Sequence, residues 1–388
     1  MKLLIYSHYF APSIGGVETI VLSLAGGLAD LRKADGSPEF DVTVVTQTGG
    51  EEDGGLPFRV VRRPNLLQLW RLIRQSQIIH VAGPALAPLL IARLSGKPVI
   101  VEHHGFQTVC PNGQLFIESS CTPCPGHFMA HRHRVCLRCN AKDGWFFSTR
   151  LWLLTFARRF LCFGAAANIV PTSWLAEILR LPNVFHVAHG LAGPVESVPA
   201  KSSPAIPLIA FQGRLVSTKG VSVLLNAAHI LFQQGRSFDL LIIGDGPERA
   251  HLEKLVTKLR LTERVTFVGR LPAPQLDSAL RQCSFLVLPS LGGEVFGLVL
   301  LENMLRGLPI IASDLGAYAE VLGDSGCTFR TGDAADLARQ MALLLDDQTT
   351  AVRLSQNARE RGQKLFGERT MIDRHAQLFR ELRVAPRP

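Results

Sequence analysis

Long apolar runs, charge and an export signal are what this sequence has little of. No stretch of ~20 uncharged apolar residues occurs, so a membrane-spanning helix is not expected. The best window, Trp145 to Phe163, is interrupted by Arg150, Arg158 and Arg159. The opening run Met1–Tyr6 reads as a strand, and polar and glycine residues follow it rather than a cleavage site. We therefore expect a cytoplasmic protein with reduced thiols. Charged residues make up only 19% of the chain against 47% hydrophobic. That balance is too apolar for disorder, and collagen-like, coiled-coil and small disulfide-framework classes are excluded as well. Neither half opens on G-x-G-x-x-G, which counts against a dinucleotide-dependent dehydrogenase.

What is present is a large, basic, globular chain. At 388 residues, two domains are expected. Lys and Arg outnumber Asp and Glu by 41 to 32, a formal charge of +9 that suits phosphates, anionic lipid headgroups or nucleic acid.

Short β-branched runs alternate with amphipathic windows, the pattern of parallel α/β sheets. Strands are predicted at Lys2–Tyr6, Val42–Thr46, Ile78–Val81, Val99–Glu102 and Ala167–Val170, with a helix over Val17–Leu31. Proline-punctuated residues 193–207 read as a linker. A second series follows: strands Leu208–Gln212, Asp239–Ile243, Val265–Val268, Phe285–Leu288 and Ile310–Ala312. Helical windows separate them at Val221–Phe232, Pro247–Leu259, Gln275–Gln282 and Leu298–Arg306, and residues 334–382 read as helical throughout. The prediction is an N-terminal domain over 1–192, a linker over 193–207 and a C-terminal domain over 208–367, both doubly wound and facing a cleft. A last helix, about 368–388, is expected to pack back on the first domain. Open α/β sheets bind ligands beyond the carboxyl ends of their strands.

Three strand-to-helix turns in the second half point to a phosphate-bearing ligand. In Gly213-Arg214-Leu215-Val216-Ser217-Thr218-Lys219-Gly220 a guanidinium and an ammonium sit five residues apart on a loop opening a helix. Arg can fork across two phosphate oxygens while Lys acts as a point charge, and the helix start adds its dipole; a surface turn with two solvated cations is the plainer reading. In Gly292-Gly293-Glu294-Val295-Phe296-Gly297-Leu298, Gly297 lets backbone approach a ligand, and Glu302 sits about one turn into the apolar helix that follows. A carboxylate there can accept from two vicinal hydroxyls such as those of a ribose; a Glu paired with a core Arg is the alternative. Gly244-Asp245-Gly246-Pro247 is a weaker third turn. At the N-terminus Gly15-Gly16 follows a first strand and opens a helix, allowing backbone to touch a diphosphate.

These residues resemble the retaining, nucleotide-sugar-dependent glycosyltransferases of family 4, the group 1 type, which have the two-Rossmann GT-B fold. The resemblance runs from Met1 to about Leu382, and Glu294 and Glu302, a Glu-x7-Glu pair, are its most specific element. With them go the Gly213-Arg214…Lys219-Gly220 loop, Gly15-Gly16 and Gly316-Ala317…Glu320-Val321. The resemblance implies that Arg214 and Lys219 bind the donor diphosphate and stabilise the leaving nucleotide, in place of a divalent metal. It implies sugar hydroxyls on Glu294, ribose on Glu302, sugar and phosphate on backbone around Phe296, Gly297 and Leu298, and the base near Val268-Gly269-Arg270-Leu271. His104, with His103 as fallback, matches the acceptor-side histidine. Retention is implied to proceed by front-face attack, with no protein nucleophile.

Cys121-x-x-Cys124 and Cys136-x-x-Cys139, eleven residues apart, suggest a structural tetrahedral zinc, with an Fe–S cluster, free thiols or disulfides as the alternatives. His127, His131, His133 and Cys110 are substitute ligands. A subset of the family carries a comparable Cys-rich insertion, here 110–139. From His131, within the insertion, to Phe160, cations and aromatics mix. We read this stretch as a core-facing helix with a solvated Arg face. The alternative is peripheral contact with the inner face of a membrane, where the acceptor would be a lipid-linked sugar. The expected activity is metal-independent sugar transfer from a nucleotide-diphosphate sugar to a glycan or lipid-linked glycan. A GT-B nucleotide-sugar epimerase is the near alternative. A zinc-knuckle nucleic-acid binder is the remote one; it would leave the carboxylate pair and both glycine loops unexplained, so no nucleic-acid partner is expected.

Overall fold

The computed structural model describes residues 1–13, 15–50, 54–139, 144–193 and 206–384. Ile14, Lys142, residues 194–205 of the expected linker and the last four residues of the expected C-terminal helix lie outside the described residues. By spatial contact the chain divides into two units: residues 1–113, 126–192 and 366–388 form the first, residues 114–125 and 193–365 the second. The sequence reading places 114–125 in the N-terminal domain; in the structure this segment clusters with the second unit.

The first unit is a seven-stranded, all-parallel sheet. Its elements begin with β1 (Lys2–Ser7), α1 (Gly16–Asp30), β2 (Asp41–Thr46), β3 (Arg59–Arg62), α2 (Leu66–Gln75), β4 (Ile78–Ala82), α3 (Leu86–Leu94) and β5 (Val99–Glu102). A two-stranded antiparallel hairpin, β6 (Phe116–Ile117) with β7 (Thr122–Pro123), interrupts it and belongs to the second unit. The first unit resumes with α4 (His133–Cys139), α5 (Trp145–Phe163), β8 (Ala167–Val170), α6 (Ser173–Leu179) and β9 (Val184–His186). Spatial order is β3-β2-β1-β4-β5-β8-β9. The central strands β1, β4, β5 and β8 are almost continuously buried, because helices on both faces leave a parallel sheet no solvated side.

In the second unit β10 (Leu208–Gln212), α7 (Val221–Gln233), β11 (Asp239–Ile243), α8 (Arg249–Lys258), β12 (Val265–Gly269), α9 (Ala273–Leu280), β13 (Phe285–Leu288), α10 (Leu298–Arg306), β14 (Ile310–Ser313), α11 (Gly316–Leu322), β15 (Cys327–Phe329), α12 (Ala334–Asp346) and α13 (Gln348–Leu365) follow in turn. Its six parallel strands lie in the order β12-β11-β10-β13-β14-β15, so the winding reverses between β10 and β13. The C-terminal α14 (Glu368–Val384) returns to the first unit, where an added Cβ on Gly27 of α1 would meet Ile372 Cδ1 at 2.1 Å. The region expected to be helical throughout is thus three helices, broken at Asp347, a C-cap whose N–H still donates to Leu343 O, and at Phe366-Gly367.

One expectation is overturned in α5. Trp145, Phe146 and Phe160 of this helix are exposed, by 84% at Phe146. Arg159 instead turns inward and donates to the carbonyls of Leu179 (2.7 Å) and Arg180 (3.3 Å). It thereby satisfies orphan acceptors at the end of α6. Burial lowers the guanidinium pKa of both Arg158 and Arg159. The helix shows its aromatics to solvent, and only Arg150 of its three arginines is exposed. No described helix is long and apolar enough to cross a membrane.

Candidate functional site

In the second unit the loops after β10 and β13 flank the reversal point, where ligands of doubly wound sheets sit. Chain direction makes both loops strand-to-helix turns, and glycine makes them close. Gly220, at φ +63°, caps α7, and a Cβ there would lie 2.0 Å from the Pro289 carbonyl oxygen. Gly297, at φ +95°, caps α10, and a Cβ would lie 2.4 Å from Tyr318 Cε1. No side chain caps α10, so the N–H groups of its first turn face outward from the sheet end with the positive end of the helix dipole.

The predicted cation and acid meet there. Lys219, at the end of a 3-10 turn over Ser217–Lys219, is ion-paired with Glu294 Oε1. The same oxygen accepts from Tyr318 Oη at 2.8 Å and Ser290 Oγ at 3.3 Å. Burial, then the charge of Glu294, pushes the Tyr318 phenol well above its ordinary pKa, so it remains an O–H donor. Arg214, on the same loop, is exposed. Tyr318 and Ser290 are members of this site that the sequence reading did not single out. Only the Gly316–Val321 motif in which Tyr318 stands pointed toward it.

Glu302 lies on α10, one turn beyond the loop, half-buried. Gln212 Nε2, at the end of β10, donates to its Oε2 at 3.2 Å, and Arg306 Nη1 is 3.8 Å away. Burial raises its carboxyl pKa, against the pull of Arg306 and Gln212. Asn303 donates to Gln212 Oε1 at 2.8 Å and fixes that amide's orientation. Phe296 is buried, Leu298 half-buried and Arg270 exposed just past β12. The hairpin segment closes on the same loops: Gly293 N donates to Gln114 O at 2.8 Å, and Ser217 Oγ to Glu118 Oε2 at 3.1 Å.

The first unit gathers a second polar cluster at the end of β5. Glu102 is fully buried, and four imidazoles surround it. His80 Nε2 donates to Oε2 at 2.9 Å, while His104 Nε2 stands 3.6 Å from Oε2, and His189 Nδ1 and His375 Nε2 stand 3.5 and 3.7 Å from Oε1. Burial opposes ionisation of Glu102, yet His104, His375 and His80 together hold its carboxyl well below the ordinary range. Burial drives His189 down to about 3. It also drives His103 to about 4, although His103 donates to Asn168 Oδ1 at 2.9 Å. Of the two predicted histidines His103 is fully buried and His104 partly exposed, its ring stacked on His189 with centroids 5.1 Å apart. His80, His189 and His375 were not legible as a group, since they reach Glu102 from three separate stretches of chain.

The remaining predicted residues divide between the units. Gly15 and Gly16 lie at the start of α1 in the first, Gly213 after β10 in the second. Cys121 and Cys124 belong to the second unit and Cys136 and Cys139 to the first, so neither unit by itself holds more than two of the four. Among the described residues, the three potential ligand side chains with atoms within 4.8 Å of one another are Glu102, His104 and His189.

Residues 200–361 match the family model of the glycosyl transferases group 1. Among curated proteins, the chain is 32% identical over 182 residues to the alpha-D-kanosaminyltransferase of Streptomyces kanamyceticus, 45% of this chain and 46% of that one. It is 31% identical over 207 residues to the glycogen synthase of Mycobacterium tuberculosis, 53% and 49% of the two chains. The matched segments therefore span about half or less of these relatives. Two solved structures superpose over nearly the whole chain. Anabaena HepE in complex with UDP has a TM-score of 0.69 at 18% identity, covering 98% of this chain and 100% of that one. Sucrose-phosphate synthase from Thermosynechococcus elongatus has a TM-score of 0.71 at 21%, covering 98% of each. The fold is GT-B.

Proposed function

We propose that this chain, whose residues 200–361 match the group 1 glycosyl transferase model, transfers a sugar from a nucleotide-diphosphate sugar to a glycan or lipid-linked glycan acceptor, with retention of anomeric configuration. One observation carries the reading: the Lys219–Glu294 ion pair at the reversal point of the second sheet, beside the uncapped start of α10. A diphosphate arriving at that loop draws Lys219 from Glu294 onto its oxygens, and exposed Arg214 supplies a second, forked contact. Glu294 is then released to accept hydroxyls of the donor sugar while Ser290 and Tyr318 still hold it in place. As the glycosidic bond to phosphate breaks, the charge growing on the leaving nucleotide meets cations and helix N–H groups that are already fixed. No divalent ion is required at the diphosphate. Glu302 accepts the ribose hydroxyls, and on the acceptor side we assign His104 of the first unit.

Anionic lipid is the acceptor-side surface we assign to α5, whose exposed Trp145, Phe146 and Phe160 accompany Arg150. The first experiment is thermal stabilisation by UDP, GDP and ADP, followed by hydrolysis of the matching nucleotide sugars. One nucleotide should stabilise the wild type and fail with Lys219→Ala. If none of the three does so, the reading is wrong. Turnover should be unchanged across a titration of Mg2+ or Mn2+.

A further inference from the structure

We propose that α2, α3 and α5 form one docking face for an anionic lipid surface, on which the first unit lies with all three helices flat. The proposal rests on the lipid reading of α5 above and on none of the transfer chemistry; it adds two helices and an orientation. The chain path decides which helices share a face. From β1 to β2 the sheet grows one way, and from β3 through β4 and β5 to β8 it grows the other. Right-handed crossovers then put α1 on one side of the sheet and α2, α3 and α5 together on the opposite side. There α3 packs against both α2 and α5, and its Arg93 guanidinium stands over the Phe160 ring of α5 at 5.7 Å. The returning α14 joins α1 on the far side, packed on it at Gly27.

Charge and exposure are segregated in the same way. Residues 54–101 and 144–176, which carry the three helices, contain no Asp or Glu, against seven Lys and Arg in the first stretch and three in the second. The helices of the far side hold Glu18, Asp30, Glu368, Asp373 and Glu381. Outward positions of the three helices are apolar where a helix facing water is ordinarily polar. On α5, Phe146, Arg150, Leu153, Phe156, Phe160 and Phe163 follow one another at three- or four-residue spacing, and all are exposed. On α3 the exposed pair is Leu90 and Leu94, the latter at 79%. On α2 it is Leu66 and Leu67 in the first turn, with Trp70 behind them. Cations accompany the rings: Arg74 stands 4.9 Å from Trp70 and Arg159 5.2 Å from Phe163. Such side chains enter the boundary between headgroups and acyl chains, while the guanidiniums beside them reach phosphates. Each cation near the surface strengthens attachment to anionic lipid about fivefold, and no carboxylate on the three helices opposes it. Nucleic acid would stack on the rings and leave the four leucines of α2 and α3 without use.

The test is co-sedimentation of the full-length protein with vesicles of phosphatidylcholine, alone or mixed with an equal part of phosphatidylglycerol. Wild type should sediment with the mixed vesicles at low salt, less as salt rises, and not with phosphatidylcholine alone. Leu90→Ser/Leu94→Ser on α3 and Arg71→Ala/Arg74→Ala on α2 should each lower the partition coefficient at least ~5-fold, with the melting temperature unchanged. Leu22→Ser, at an exposed position of α1 on the far side, should change neither. Acyl-brominated phosphatidylglycerol should quench the tryptophan emission of bound wild type, and Trp70→Phe should remove part of that loss. Wild type that ignores the mixed vesicles, or binds neutral ones equally well, overturns both this proposal and the lipid reading of α5. Variants of α2 and α3 that sediment like wild type, or quenching that Trp70→Phe leaves intact, overturn the three-helix face alone. So does Leu22→Ser binding as poorly as the α3 pair.

Discussion

Lys219 and Glu294 neutralise one another inside a shell of hydroxyls, and this shapes what single substitutions do there. Removing the ammonium takes away the cation proposed to meet the leaving diphosphate. Lys219→Ala should lower turnover by ~10²–10³-fold, the scale on which fixed charge stabilisation is lost. It also leaves Glu294 with only neutral donors, Tyr318 and Ser290. The double variant Lys219→Ala/Glu294→Gln should therefore regain thermal stability without regaining activity, and recovery of both would refute the assignment. Glu302 offers a separate test through pH. Its folded carboxyl is raised above 4.5 by burial, so the fold favours the protonated form. That contribution is complete below the ordinary carboxylate pKa and is lost as pH rises through the raised value. Glu302→Gln keeps an acceptor for Gln212 and carries no charge. Its urea midpoint should exceed the wild type's near pH 7 and converge on it by about pH 4. A constant difference across that range would show that the carboxyl titrates normally.

Among the elements, α5 departs furthest from what its sequence suggests. Aromatic and aliphatic residues occupy nearly every side of it, so helical spacing alone did not decide which face is inward; the carbonyls at the end of α6 did, by drawing Arg159 in. Trp145→Ser/Phe146→Ser should reduce sedimentation with vesicles containing anionic lipid while leaving the melting temperature within a few degrees. Equal sedimentation of variant and wild type would remove α5 as the contact. Strands were more legible where they are buried on both sides. Val99–Glu102, Ala167–Val170, Leu208–Gln212 and Phe285–Leu288, mostly apolar and mostly buried, run over the residues expected from the sequence. Of the missed strands, β3, β9 and β15 lie at sheet edges, with Arg59, Arg62, His186 and Thr328 among their few residues. There one hydrogen-bonded neighbour, rather than composition, makes the strand. The site was legible on the same terms. Lys219, Glu294 and Glu302 stand in local glycine-marked motifs, whereas Gln212, Tyr318, His189 and His375 join their clusters only through the winding of the sheets.

For the whole molecule, the chain path matters more than the order of halves. It completes the second unit at Leu365 and then returns, so α14 is part of the first unit's core. Met371, Ile372 and Phe379 are all buried, and Phe379 packs edge-on against Phe40 at 6.2 Å. Losing three such side chains costs roughly 2–5 kcal/mol each, against a total domain stability of about 5–15 kcal/mol. Ending the chain after Leu365 should thus unfold the first unit selectively, seen as fast amide exchange in β1 and α1 with the second unit still protected. Slow exchange in both would mean that α14 is dispensable.

The short detour of residues 114–125 into the second unit carries a practical corollary for anyone recombining such proteins. A transplant of the C-terminal half cut at the proline-rich connection would leave behind Phe116, which sits at zero exposure among Phe211, Leu215 and Leu291, and would strand the graft with a hole. Working hybrids have to exchange two pieces of polypeptide, the dozen residues 114–125 and residues 193–365, and their crossovers belong at Gly113, Pro125 and Leu365 as much as at the linker.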